Sequence, residues 1–305
     1  MRVYGTDGDQ YELPCTDNIL ANDYLGYPCS DNKETHYPRM YVTHCYDVLS
    51  GVTKSFRYSN RNEEVHSAIE MATDLEENSL TLYDRLFVAA DLFRIHDMNN
   101  SFAIVRCRDG ATFTEINEFF QSKRRNGTFK IDEITIQLIK VVHPKTGSIS
   151  VFATNLPRRR FKNLEINDLY ALRWESETAN RDMTATLKVE QWHSHSLNGV
   201  LQELYTALWL MNQTRIQMAK SMKQKCTLKT LFFYEKSNFK LIYNFILNSL
   251  KDLVDYRLGR VRRRLNILIK ISKEKRIRRS RSYDRQTKYS KKSYPSASTV
   301  ERRLK

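Results

Sequence analysis

A chain of 305 residues, 41% of them apolar, is long enough for one large domain or two smaller ones around a packed core. Its formal charge of +15 is concentrated at one end: residues 257–305 hold 19 Lys/Arg and 3 Asp/Glu, and the first 256 residues hold 31 and 32. No apolar run reaches the roughly 18 residues of a membrane span, and Asp7 and Asp9 interrupt any signal peptide. The scattered Cys15, Cys29, Cys45, Cys107 and Cys226 form no Cys-x-x-Cys pair, which fits a reducing cytoplasm better than a disulfide framework. A polycation confined to one segment points to a polyanion such as nucleic acid, with a solubilising tail as the plainer alternative.

In chain order, residues 2–7 read as a strand ending at Gly8. Residues 40–48 and 52–58 read as a hairpin turning at Ser50-Gly51. Residues 63–75 have helical spacing, with Val65, Ile69, Ala72 and Leu75 on one face. A buried strand over 79–83 ends in Asp84-Arg85, followed by a helix over 87–95 and a strand over 101–107. This order predicts an α/β fold with a mixed sheet over residues 1–107.

Residues 108–163 break the rhythm, with strands expected at 131–142 and 148–155 and basic clusters at Lys123–Arg125 and Arg158–Arg160. They read as a β-rich insertion, the clusters being either phosphate contacts or solvated loop charge. Residues 164–222 return to helix: one long helix over 166–190, capped near Asn167 or Asp168, and an amphipathic helix over 196–222. Residues 223–275 are expected to be largely helical from 231 to 271. The Arg/Lys/Ser-rich residues 276–305 are expected to be disordered.

Three acids stand where a phosphoryl-transfer centre would use them. Asp7 and Asp84 close two strands, and Glu177 lies on the long helix. Carboxylates at neighbouring strand ends can share divalent cations, and hard oxygen donors suit Mg²⁺ or Mn²⁺. An acid at a strand end is, however, most often a turn former or a cap. Tyr170, Arg173 and Glu177 fall at roughly 0°, 300° and 340° around the helix, a single face. A cation there can hold a phosphate beside a metal carboxylate, although an ordinary surface ion pair explains the spacing as well.

These blocks carry a family resemblance. Tyr170-x-x-Arg173-x-x-x-Glu177, within DLYALRWESE, resembles the signature of the insertion-sequence-4 family of DDE transposases. GTDGDQYELP, with Asp7-Gly8, resembles that family's first-Asp strand. LTLYDRLF, with Asp84-Arg85, resembles the second, and FATNL and HSHSLNGVLQELYTAL follow in the family's order. The resemblance covers residues 2–213. It implies a ribonuclease-H-like mixed sheet flanked by helices, with a β-rich insertion before the helix of the catalytic Glu and a helical, basic C-terminus. It also implies two Mg²⁺ or Mn²⁺ held by Asp7, Asp84 and Glu177, which cut transposon ends and join them to target DNA. Tyr170 and Arg173 would bind the DNA phosphates. Partners would be DNA and a second copy of the chain on paired ends, in the bacterial cytoplasm at the nucleoid and without a membrane.

The family motif places a Lys seven residues after the Glu, where this chain has Thr184. Arg181 and Lys188, near the same face, are the expected replacements for phosphate contact, although Arg181 also suits an intrahelical pair with Glu177. Family members carry a helical, end-binding region ahead of the first Asp. Six residues precede Asp7, so the chain reads as N-terminally truncated. Rival readings are an inactive transposase remnant and a basic architectural DNA-binding protein. Trp174, Trp192 and Trp209 are expected in the core, and His193 and His195 in capping or surface roles. Glu64 is expected either near the acids or simply at a helix start. Residues 257–264 form a helix with a cation on every turn, which suits phosphate contact.

Overall fold

In chain order, β1 (Val3–Glu12) is followed by α1 (Asp17–Leu20) and a small ladder of β2 (Pro28–Cys29) with β3 (Lys33–Glu34). The hairpin β4 (Arg39–Asp47) and β5 (Thr53–Ser59) leads to α2 (Glu64–Ala72), β6 (Leu80–Tyr83), α3 (Ala90–Met98) and β7 (Phe102–Cys107). Next come α4 (Thr114–Gln121), β8 (Asn126–Ile131), β9 (Ile134–Val142) and β10 (Ile149–Thr154). Then follow α5 (Asn163–Ala171), α6 (Trp174–Arg181), a π-helical turn (Asp182–Thr186) and α7 (Leu197–Ser221). The last elements are β11 (Phe233–Ser237), α8 (Phe239–Asn248), α9 (Leu250–Val254), α10 (Leu258–Ile271) and β12 (Lys273–Ile277). This computed structural model describes residues 1–24, 28–29, 33–34, 37–110, 113–143, 147–157, 161–221, 233–254 and 257–277.

Eight strands form one sheet in the order β5-β4-β1-β6-β7-β10-β9-β8. Only β1, β6 and β7 run parallel to one another; every other pairing is antiparallel. The centre of the sheet is covered on both faces, which is why all four residues of the parallel strand β6 are buried. Leu80 and Leu82 pack on one side with Ile166, Leu169 and Tyr170 of α5. Tyr83 packs on the other with Ala68 of α2 and Leu92 and Phe93 of α3. A further core joins Tyr11, Met40 and Val42 to Val200, Leu204 and Met211 of α7 and to Ile242 of α8.

The hairpin forms where expected, with Gly51 at φ +72° in its turn. The β-rich stretch also forms, and its three strands extend the core sheet from β7. An additional helix, α4, precedes them and buries Ile116 and Phe119.

Several expectations are corrected. β1 does not end at Gly8. Its antiparallel ladder with β4 continues from Tyr4–Asp47 to Glu12–Arg39, so one edge keeps its hydrogen bonds after the parallel neighbour has left. The single helix over 166–190 is broken. Around Leu172 and Arg173 the bonds Leu172 N to Leu169 O (3.0 Å) and Ser176 N to Arg173 O (2.8 Å) have three-residue spacing, which tightens the junction between α5 and α6. Its start lies at Asn163, where the Glu165 carboxylate accepts from the Lys162 N–H at 2.8 Å. Within residues 231–271, β11 pairs with β12, 40 residues away by the Phe233–Ser237 and Lys273–Ile277 register. Arg276 and Ile277 belong to β12; residues 278–305 and the cluster Arg158–Arg160 lie outside the described residues. Trp174 and Trp209 are exposed, at 61% and 59%, because no described element covers the sides of α6 and α7 that carry them.

Candidate active site

The parallel ladder of β1 and β6 ends at Thr6–Tyr83; Asp7 follows Thr6 within β1, and Asp84 follows Tyr83 just past the end of β6. After Tyr83 the chain leaves the sheet into the short 3-10 turn Arg85–Phe87, with Asp84 as its extended N-cap. Two aspartates are thus brought side by side by register. Asp7 itself sits within its strand, at the end of the parallel ladder but not of β1.

The third acid arrives on α6. That helix packs on β1 through Gly5, where a Cβ would stand 2.3 Å from Ser176 Oγ. Glycine is required here for close approach, and this contact sets Glu177 beside Asp7. Gly8 admits a fourth acid in the same way. The Glu64 side chain from the start of α2 fills the space of the missing Cβ, with Oε1 only 1.5 Å from that position.

Arg173 lies among these carboxylates. Its side chain is 8% exposed, its Nη2 donates to Glu177 Oε1 at 2.6 Å, and its Nη1 stands 3.7 Å from Asp7 Oδ2. Burial alone would lower its pKa, but Tyr170, Asp7, Asp84 and Glu177 together raise it. Burial pushes the Asp7 carboxyl up to about 7; Arg173 opposes this, and Glu177, Asp84 and Glu64 add to it. Burial, with Asp84 and Asp9 nearby, likewise raises Glu64. Asn180 Nδ2 donates to Asp7 Oδ2 at 3.5 Å, and the Tyr46 hydroxyl donates to Asn180 Oδ1 at 3.0 Å. Asn180 was not singled out in the sequence, although its place three residues after Glu177 puts it on the same helical face.

Tyr170 is buried against Phe152, ring centroids 5.0 Å apart, and its ring lies 5.8 Å from Arg173 Cζ. The Tyr170 hydroxyl and Arg173 Nε are both buried and lack a hydrogen-bond partner among the described residues. Tyr170, Arg173 and Glu177 therefore share one surface despite the broken helix. Arg181 and Lys188 are exposed. Lys188 follows the π turn with φ +56°, so it shares no continuous helical face with Glu177. The ion-pair partner found for Glu177 is Arg173, not Arg181. The Thr184 hydroxyl turns back to the Asn180 and Arg181 carbonyls, at 3.3 and 3.4 Å. His193 is a surface residue bonded to Glu203, and Lys123–Arg125 are exposed.

Asp7, Asp84, Glu177 and Glu64 offer hard carboxylate oxygens, the donor type that suits Mg²⁺ or Mn²⁺. As arranged, no three acids or other ligating side chains among the described residues stand close enough to hold an ion. The guanidinium of Arg173 supplies the positive charge between them. No helix among the described residues is long and apolar enough to cross a membrane.

A family model described as the transposase DDE domain matches residues 16–213. The match includes Asp84, Tyr170, Arg173 and Glu177 and begins after Asp7. A search of curated proteins finds no match. Among solved structures, a piggyBac transposase synaptic complex with hairpin DNA, seen by cryo-electron microscopy, is similar at TM-score 0.41 and 11% identity. The similarity covers 80% of this chain and 52% of that one, so the chain spans about half the length of that transposase. The observed mixed sheet flanked by helices is the α/β, ribonuclease-H-like architecture that the motifs implied. Matched over more than half its length, this chain belongs to the transposase DDE domain family.

Proposed function

We propose that this chain is a transposase of the insertion-sequence-4 type that cuts transposon ends and joins them to target DNA. Asp7, Asp84 and Glu177 would hold two Mg²⁺ or Mn²⁺. Bound there, such ions supply the charge that stabilises attacking and leaving oxygens in phosphoryl transfer. In the first reaction water attacks a phosphorus at the transposon end, and the bond to the 3′ oxygen breaks to leave a 3′-hydroxyl. In the second, that hydroxyl attacks a target phosphodiester and displaces its 3′ oxygen.

This chain's own groups hold the DNA for both. Arg173 is a buried cation with an unused Nε, suited to a scissile phosphate. The Tyr170 hydroxyl is a buried donor with no partner among the described residues, suited to a phosphate oxygen beside it. Arg181 and Lys188, both exposed, suit flanking phosphates. Two copies would act on paired ends, where the DNA lies in the bacterial nucleoid.

The observation that most supports this reading is the convergence of Asp7, Asp84 and Glu177 on one buried arginine. The test uses purified protein, Mg²⁺ and a supercoiled plasmid carrying the DNA that flanks the coding sequence. The wild type nicks the plasmid at the element ends, and Asp84→Ala and Glu177→Ala each reduce nicking by about 100-fold or more. Full cleavage by either variant rejects the site.

A further inference from the structure

α10 exposes five cations over its solvent side, with Ile267 and Ile271, 60% and 72% exposed, among them. Val261, Leu265 and Ile269 recur every fourth residue and are buried, the latter two in the core with Ile242 of α8 and Met218 of α7. With Val261 at 0°, Leu265 and Ile269 fall at roughly 40° and 80°. Lys270 and Arg263 fall opposite, at roughly 180° and 200°, with Arg260 at roughly 260°. Arg262 and Arg264 flank the buried stripe at roughly 100° and 300°. All five cations are exposed, and the helix has no acid. Among the described residues none of the five forms an ion pair; Arg263 Nε donates to the Gly259 carbonyl of its own helix at 3.4 Å.

Arg260 stands three and four residues before Arg263 and Arg264, the spacing at which like charges on a helix repel. The described fold supplies no counter-charge for this repulsion. A polyanion from outside would relieve it.

We infer that α10 is a docking surface for the sugar-phosphate backbone of DNA, built from Arg260, Arg262, Arg263, Arg264 and Lys270. This rests on the transposase reading for the identity of the polyanion. From Arg260 to Lys270 the helix advances about 15 Å. One DNA strand presents a phosphate about every 3.4 Å along its axis, so about four phosphates face this length of helix. Guanidinium forks bond two phosphate oxygens at once, which favours arginine over lysine here. Contacts of this kind position DNA without reading sequence. The surface therefore serves flanking and target DNA alike, and the carboxylates around Arg173 serve the bond being cut.

The test measures binding of the full chain to a random-sequence duplex across a salt series. The variant R260Q/R262Q/R263Q/R264Q lowers the slope of log affinity against log salt by about 3 to 4 units. It weakens binding equally on unrelated sequences and keeps Mg²⁺-dependent nicking at saturating protein. The charge-retaining variant R260K/R262K/R263K/R264K keeps the wild-type slope. An unchanged slope in the glutamine variant, or a slope lost in both variants, overturns the inference. So does glutamine-variant binding that is lost on phosphatidylserine vesicles but intact on DNA. A wild type that cuts while the glutamine variant binds normally rejects the α10 surface alone. A wild type that binds with the stated slope but never cuts rejects the transposase reading and leaves the surface standing.

Discussion

Gly5 and Ser176 form the contact on which the candidate site turns. Ser176 Oγ is buried without a hydrogen-bond partner among the described residues and occupies the space a Gly5 side chain would need. Gly5→Ala is expected to cost about 1–3 kcal/mol through overpacking and to move Glu177 away from Asp7. Ser176→Ala alone is expected to be nearly neutral, because it removes an unsatisfied hydroxyl. The double variant should recover part of the Gly5→Ala loss, since Ser176 Cβ stands 3.7 Å from the added methyl while Val48 Cγ1 still stands 3.0 Å from it. Urea unfolding of the three variants checks this; a double variant no better than Gly5→Ala contradicts it. His96 gives a second test at this scale. It is buried between the Tyr83 hydroxyl (2.9 Å) and Ser101 Oγ (2.7 Å), and burial lowers its pKa from 6.5 to about 3. The unfolded chain takes up the proton first, so stability from this group is full above pH 6.5 and is lost as pH falls toward 3. His96→Gln should flatten the acid side of the stability profile by up to about 1.4 kcal/mol per pH unit relative to wild type. Parallel profiles would refute this. At this scale the acids and Arg173 were legible in sequence, because the motif fixes their spacing. Glu64 near the acids was one of two readings, and Asn180 and Gly5 were not legible, because their roles depend on which element packs above them.

At the scale of elements, the helix bearing Glu177 is interrupted twice, by the tightened junction at Leu172-Arg173 and by the π turn after Arg181. Neither break shows in apolar periodicity. The π turn is held by Asp182, which is ion-paired with Arg215 of α7. The Arg215 side chain is 2% exposed, its Cζ lies 4.4 Å over the Phe239 ring, and it lines the turn at Gly51. Arg215→Ala removes a buried guanidinium from Asp182 and from the Phe239 ring and should destabilise the fold by about 3–5 kcal/mol. Chemical unfolding measures this, and a loss within experimental error of zero contradicts it. Strands were the most legible elements, because alternation and the Ser50-Gly51 turn act locally. β11 was missed because its partner β12 lies far along the chain, and pairing over such a distance leaves no local signal.

Across the whole molecule, charge and topology divide the labour. A nearly neutral body carries the mixed sheet and the convergent acids, and the cations gather on and beyond α10. Sequence composition gave the second fact directly. The mixed sheet followed from the order of strands and helices, but the way β8, β9 and β10 extend it did not, because an insertion and a sheet extension have the same local pattern. The proposed chemistry depends on Asp7, Asp84 and Glu177 gripping divalent ions together. Electron paramagnetic resonance of Mn²⁺ titrated into the full chain measures this without reference to DNA or turnover. The wild type should immobilise two Mn²⁺ per chain, and Asp84→Asn with Glu177→Gln should leave the added Mn²⁺ free. Equal immobilisation by the wild type and that double variant, or none by the wild type, would contradict the account.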